Sequence, residues 1–343
     1  MNETDLTVSA KEIVPSLKSS RQKGDGGVIA VFGGHRAYVG STYFSASGAL
    51  KVGSDVVYIF TSKEAEEVKI ISPDFIVYPI INDEKFMEEC AQWLERIDVV
   101  VIGPGFRREK KYFHLFANVV ETCRILKKGL VIDSSALNHL SKNMELIKNY
   151  PEPGVILTPN AEEVGILFGN VQADYSKVIG NLGKTITILR KGPVDEAINF
   201  AKTVKFTGGG SNRRGMGQGD LLAGVVGAFF GFAIKSDLSK SVDQGDLAIA
   251  ACQGASKLVR ECNARAFAKK GRAMVLDSIT TQLNNRFVAL NCVVEDFGLL
   301  NGRVISQTDT TELKKMAIDL AIKYNTDLAS YEFALEIESL NFK

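Results

Sequence analysis

Short apolar, β-branched runs separated by helical stretches limit this chain to very few folds. Val28–Phe32, Val56–Phe60, Val99–Ile102, Leu130–Ile132, Val155–Leu157 and Ile186–Leu189 are each too short for a helix and too uniformly apolar for a strand with one wet face. Between them lie stretches at helical spacing: Phe44–Gly53, rich in small residues, then Glu84–Arg96 and Lys110–Lys127. Strands that alternate with helices predict an α/β fold with a mainly parallel sheet covered on both faces. In such sheets ligands sit beyond the carboxyl ends of the strands. That rule draws together Gly33-Gly34, Gly103-Pro104-Gly105, Asp133-Ser134, Thr158-Pro159-Asn160 and Lys191-Gly192-Pro193, each of which closes a run.

A second punctuation belongs with these. Gly208-Gly-Gly-Ser-Asn-Arg-Arg-Gly-Met-Gly-Gln-Gly-Asp220 runs directly into Leu221–Phe230, which reads as a buried helix. Glycines before a helix start let unpaired N–H groups converge on an anion, and the helix dipole favours phosphate there. Arg213 and Arg214 are placed to clamp phosphate oxygens. An acid beside such a loop is electrostatically costly unless it accepts a proton from an attacking group or helps hold a metal, so Asp220 points to phosphoryl transfer. A solvated loop closed by a capping aspartate is the plainer alternative.

Bulk properties narrow the partners. With 41 basic against 40 acidic residues among 343, the chain has no field for wrapping nucleic acid or lying on an anionic membrane, so a small-molecule substrate is expected. Cys90, Cys123, Cys252, Cys262 and Cys292 lack any CxxC pair, and His35, His114 and His139 are scattered; neither set predicts a disulfide framework or a dedicated metal site. The first twenty residues carry Glu3, Asp5 and Glu12 around no long apolar core, and no run is expected to span a membrane, so a cytoplasmic location is expected. A homo-oligomer is compatible with all of this. One domain is expected over residues 1–288, with 289–343 an extension of unassigned role whose amphipathic stretch lies near Thr311 to Tyr324.

In order along the chain, Phe32-Gly-Gly with Tyr38-Val-Gly, Val101-Ile-Gly-Pro-Gly105, Ile132-Asp133, Leu157-Thr-Pro-Asn-Ala-Glu-Glu163, Lys191-Gly-Pro-Val-Asp195 and Gly210–Asp220, followed by Arg260-Glu-Cys262 and Ala268–Ala273, resemble the ATP-dependent (S)-NAD(P)H-hydrate dehydratases. The resemblance covers roughly residues 10 to 285. It implies a ribokinase-like three-layer sandwich. It implies ATP as phosphoryl donor, with Mg²⁺, and a nicotinamide dinucleotide hydrate (NADHX or NADPHX) as substrate. Carried over residue by residue, it puts Lys191, Gly192, Pro193, Val194, Asp195, Gly210, Ser211, Asn212, Arg213, Arg214, Gly215, Met216, Gly217, Gln218 and Gly219 on ATP. Tyr38, Gly105, Asn160, Ala161, Glu162, Glu163, Val164, Gly165, Ile166 and Asp220 would face the substrate.

The implied reaction is phosphorylation of the hydrate hydroxyl, with Asp220 as base, followed by loss of phosphate to regenerate NADH or NADPH. Asn160 and Glu163 follow a proline that ends a strand and can reach sugar hydroxyls, although Asn160 can equally cap a helix. Where the family usually has Gly-Ala-Pro, Asp-Ala-Asp and a glycine pair, this chain has Gly40-Ser41-Thr42, Asp133-Ser134-Ser135 and Met216-Gly217. A methionine side chain at that point is expected to hinder close backbone approach or a positive φ. A ribokinase-like small-molecule kinase that keeps its phosphate on the product uses the same base and anion loop. A nucleotide-binding homologue with impaired catalysis would share the loop as well.

Overall fold

The computed structural model describes residues 8–15, 22–81, 86–169, 175–213 and 215–283. The expected extension from residue 289, its amphipathic stretch and Arg214 lie outside the described residues. The strands are β1 (Val28–Phe32), β2 (Val56–Phe60), β3 (Ile76–Tyr78), β4 (Val99–Ile102), β5 (Gly129–Ile132), β6 (Val155–Leu157), β7 (Ile186–Arg190), β8 (Asp195–Ile198) and β9 (Thr203–Phe206). They form one sheet in the order β3-β2-β1-β4-β5-β6-β7-β8-β9. Pairing is parallel through β7, and β8 and β9 add an antiparallel hairpin at one edge.

Successive residues of a strand face opposite sides of a sheet, and both sides here are apolar, which is why the parallel runs lack alternation. One face carries Phe32, Phe60, Ile102, Ile132 and Leu157 into a buried cluster that also contains Cys90, Phe116, Leu137 and Ile179. Those come from α2 (Phe86–Leu94), α3 (Phe113–Ile125), α4 (Ser135–Leu140) and α6 (Tyr175–Leu182), and α5 (Ala161–Phe168) adds Leu167. The other face is covered by α1 (Val39–Lys51), α7 (Gln218–Lys235) and α8 (Gln244–Lys270), which also pack on one another.

By length and composition alone α7 could cross a membrane: it has 18 residues and a mean hydropathy of 1.2, against the expectation that no run would do so, yet 72% of it is buried inside the protein. It is the central helix of its layer. Burying each of Val225, Val226 and Phe230 is worth about 1.5–3 kcal/mol. Gly224 lets α7 approach α1 so closely that a Cβ there would overlap the carbonyl of Ser45. That approach fixes the first turn of α7, and with it Asp220, against the first turn of α1.

Candidate active site

The order of the strands reverses between β1 and β4, because the chain moves one way through β2 and β3 and the other way through β5 to β7. Such a switch point opens a crevice at the carboxyl ends. Here the loops that meet are tightly interlocked: the Gly34 N–H donates to Pro104 O at 3.0 Å, and a Cβ on Gly105, whose φ is 66°, would lie 2.7 Å from Tyr38 O and 3.1 Å from Ser41 Cβ. Tyr38 is half exposed at this rim, edge-on to His35 with ring centroids 5.0 Å apart.

Acids gather beyond β5 and β6. Asp133 is buried and accepts from Thr158 Oγ1 at 2.7 Å and from Lys191 Nζ at 2.7 Å; Glu163 Oε2 lies 3.9 Å from the same ammonium. Asn160 caps α5, its Oδ1 accepting from the Glu163 N–H at 2.9 Å, and Glu163 Oε2 accepts from the Asn160 N–H at 2.8 Å. The reciprocal pair is a capping box, so one oxygen of each side chain holds the helix start. Val164 is buried, whereas Ala161, Glu162 and Ile166 are exposed on α5.

Asp220 completes the group from the first turn of α7. Its carboxyl is pushed up to about 7, first by burial and then by the charge of Asp133, with Glu163 adding to the effect; a hydrogen bond from Ser41 and the charge of Lys191 oppose it. Burial likewise raises Glu163. Burial alone would lower Lys191, but Asp133 and Glu163 outweigh it and hold the ammonium firmly protonated. A carboxyl raised to about 7 is suited to accept a proton near neutrality.

On the far side of Lys191 lies a cleft of about 340 Å³. Of the residues expected on ATP, Lys191, Gly192, Pro193, Asp195, Gly210, Ser211, Asn212, Gln218 and Gly219 line it, while Val194, Arg213, Gly215, Met216 and Gly217 do not. Arg213 lies on the loop, where its N–H donates to Ser211 Oγ at 3.3 Å and its carbonyl accepts from Gln218 Nε2 at 3.3 Å. The carboxylate of Asp195 is engaged within the protein: it accepts from Gly192 N, from Ser256 Oγ and from Arg260 Nε and Nη2, all at 2.7–3.0 Å. Arg260 also donates to Pro193 O and Gly192 O, and its own carbonyl accepts from the Gly210 N–H. One arginine on α8 thus braces both loops of the cleft. Burial pushes Asp195 up, but the hydrogen bonds from Arg260, Gly192 and Ser256 prevail and hold it below the usual carboxylate range.

The expectation that Met216 would obstruct the anion loop is corrected by the backbone. The left-handed position is taken by Gly217, with φ 84°, whereas Met216 keeps an ordinary φ and projects into solvent, 89% exposed. The glycine that matters is present; a Cβ there would lie 2.6 Å from Leu276 Cδ2.

Sequence reasoning assigned no role to Ser41, Thr158, Arg260 or Asn263. The last lines the cleft, and its Oδ1 is buried without a partner, a polar cradle awaiting a donor. Asp133 was visible as an acid closing a strand, and its position in that series was the available signal.

Comparison with known proteins agrees with this geometry. The family model for NAD(P)H-hydrate dehydratase matches residues 29–285. This chain belongs to the NAD(P)H-hydrate dehydratase family. It is 38% identical over 291 residues to the ATP-dependent (S)-NAD(P)H-hydrate dehydratase of Aedes aegypti, covering 83% of this chain and 85% of that one. To the mouse (Mus musculus) protein of the same name it is 33% identical over 294 residues, covering 82% and 84%. Among solved structures it is similar to a hypothetical protein of Streptococcus mutans (TM-score 0.68, 21% identity, 82% of this chain and 97% of that one). It is also similar to the ADP/ATP-dependent NAD(P)H-hydrate dehydratase of Bacillus subtilis co-crystallised with ATP and Mg²⁺ (TM-score 0.58, 16% identity, 81% and 97%). The fold is the ribokinase-like α/β sandwich.

Proposed function

We propose that this chain dehydrates hydrated NADH and NADPH at the expense of ATP, restoring the reduced cofactors. The observation that carries the reading is Asp220, a carboxylate with its pKa raised to about 7, standing between the nucleotide-sized cleft and the switch-point crevice. A general base works best when its pKa lies near the working pH. Asp220 takes the proton from the ring hydroxyl of the hydrate as that oxygen attacks the terminal phosphoryl group. N–H groups around Gly217–Gly219 and the first turn of α7 face the charge that builds on the transferring group, and the Lys191 ammonium supplies a fixed positive charge beside it. Phosphorylation turns a poor leaving group into a good one; the ring nitrogen then expels phosphate, and loss of a proton from the adjacent ring carbon of the resulting iminium restores the double bond.

The cleft suits the adenosine half of ATP: glycine backbone lines one wall, and the orphaned Asn263 oxygen and Val259 line another. Although Asp133, Glu163 and Asp220 lie near one another, no three acidic, histidine or cysteine side chains among the described residues are spaced to hold a metal ion, so Mg²⁺ would arrive on the nucleotide phosphates. We also place the protein in a reducing, cytoplasmic compartment, a reading supported by the buried free thiols of Cys90, Cys123 and Cys252. The test is incubation with acid-generated hydrated NADH, ATP and Mg²⁺. Recovery of absorbance at the reduced-nicotinamide band with one phosphate released per cofactor is expected. A stable phosphorylated product without free phosphate would show a small-molecule kinase instead.

A further inference from the structure

Arg107 and Arg108 are consecutive, yet the fold uses them differently. Arg107 is engaged within the protein: its guanidinium meets Glu64 Oε2 at 3.3 Å, Glu109 Oε1 at 3.5 Å and Tyr112 Oη at 3.3 Å, and its carbonyl lies 2.6 Å from His139 Nε2 on α4. Among the described residues Arg108 makes one hydrogen bond, from Nε to Ser135 Oγ at 3.3 Å, and its two terminal amino groups have no hydrogen-bond partner there. It is exposed, and its charge reaches Glu163.

The backbone leading to it is held close to the start of α4. The segment 103–108 is pressed against 133–136, since a Cβ on Gly103, with φ 131°, would overlap Asp133 O and lie 3.2 Å from Ala136 Cβ. Ser134 takes φ 52° and ψ −127°, an arrangement non-glycine residues rarely adopt, and it sets Ser135 at the start of α4. An anchored Nε leaves the planar Nη pair presented edge-on, the geometry that matches phosphate oxygens bidentately.

The charges on the substrate side call for such a group. Asp133, Glu163 and Asp220 face this end of the sheet, and the Lys191 ammonium lies among them. A dinucleotide bringing phosphate to three carboxylates needs a positive partner that is not already paired. We propose that Arg108, oriented by Ser135, binds a phosphate of the hydrated dinucleotide and so sets the affinity for the substrate without acting on ATP. The inference rests on the dehydratase reading. The phosphate is either the bridging diphosphate common to both cofactors or the ribose 2′-phosphate of the NADP form.

Steady-state kinetics of Arg108→Gln and Arg108→Lys with hydrated NADH and hydrated NADPH separate these sources. Loss of a charge-assisted bidentate contact should raise KM for the hydrate about tenfold to a hundredfold in Arg108→Gln, with kcat and the KM for ATP little changed. Arg108→Lys, keeping the charge but not the fork, should fall between. An equal rise for both hydrates identifies the diphosphate, and a rise confined to hydrated NADPH identifies the 2′-phosphate. Unchanged KM for both hydrates, or a rise in the KM for ATP instead, overturns the proposal. Calorimetric binding of NADPH itself to the parental and Arg108→Gln chains reads the same contact without turnover. It keeps failure of this contact distinct from failure of the dehydratase activity.

Discussion

Two aspartates at the ends of the same sheet carry opposite electrostatics. Asp195, at the start of β8, is enclosed by Arg260, Ser256 and the Gly192 N–H and stays charged well below neutrality. Asp220 has one hydrogen bond from Ser41, stands near Asp133 and Glu163, and titrates at about 7. Saturating Asp195 turns it into a brace between loops. Asp220 is left with fewer donors and with like charges nearby, which is what the proposed role as base requires. Residue type does not distinguish the two; both are buried, and the donors and charges around each decide the direction.

The largest effect should come from removing the under-satisfied acid. Asp220→Asn keeps shape but abolishes the basic oxygen, and turnover of hydrated NADH should fall by about 10²–10⁴-fold while ATP binding, read by calorimetry, persists. Loss of ATP binding would make Asp220 part of the brace and erase the contrast. Next comes the saturated acid: Arg260→Ala leaves Asp195 charged and buried, at a cost of about 3 kcal/mol or more in denaturant unfolding, and should also raise the KM for ATP as both loops loosen. A near-parental unfolding midpoint would show that water replaces the guanidinium without penalty.

Smaller effects sharpen the comparison. The Ser41 hydrogen bond favours ionised Asp220, so Ser41→Ala should move the acidic limb of the pH–rate profile to higher pH and lower activity a few-fold at pH 6.5, with little change at pH 8.5. A shift to lower pH would mean that Ser41 donates elsewhere. Met216→Gly should be nearly silent in turnover, costing only loop entropy of about 0.5–1 kcal/mol, because the side chain lies in solvent.

Much of the fold was legible because parallel strands buried on both faces are continuous apolar runs: β1, β2, β4 and β6 begin and end where the sequence pattern does. β3 was missed: it is a three-residue edge strand with no fully buried residue, so it lacks the continuous apolar run of the central strands. The β8–β9 hairpin was missed for a different reason. Asp195-Glu196-Ala197-Ile198 reads as polar loop until Asp195 finds Arg260 and Glu196 finds Arg190 and Lys205, partners distant in sequence or across the hairpin. In the site, Asp220 and the glycine loop were legible because helix-start chemistry is local. Which glycine carries the left-handed turn was not, and the sequence pattern placed that burden on Met216 when the backbone gives it to Gly217. Arg260, Ser41 and Asn263 act through tertiary contacts, so their roles are not legible locally even where, as at Arg260 and Ser41, the sequence pattern touches them.

The central claim is that Asp220 is the base and that its surroundings hold it half-ionised near neutrality. The most direct measurement is the pH dependence of kcat/KM for hydrated NADH with saturating ATP and Mg²⁺, recorded for the parental chain and for the residual activity of Asp220→Asn. A carboxylate must be ionised to accept a proton, so parental kcat/KM should climb as pH rises through about 7 and level off above it, and the variant should show no such limb. A parental profile flat between pH 5.5 and 8, or an acidic limb that survives in Asp220→Asn, would contradict the assignment.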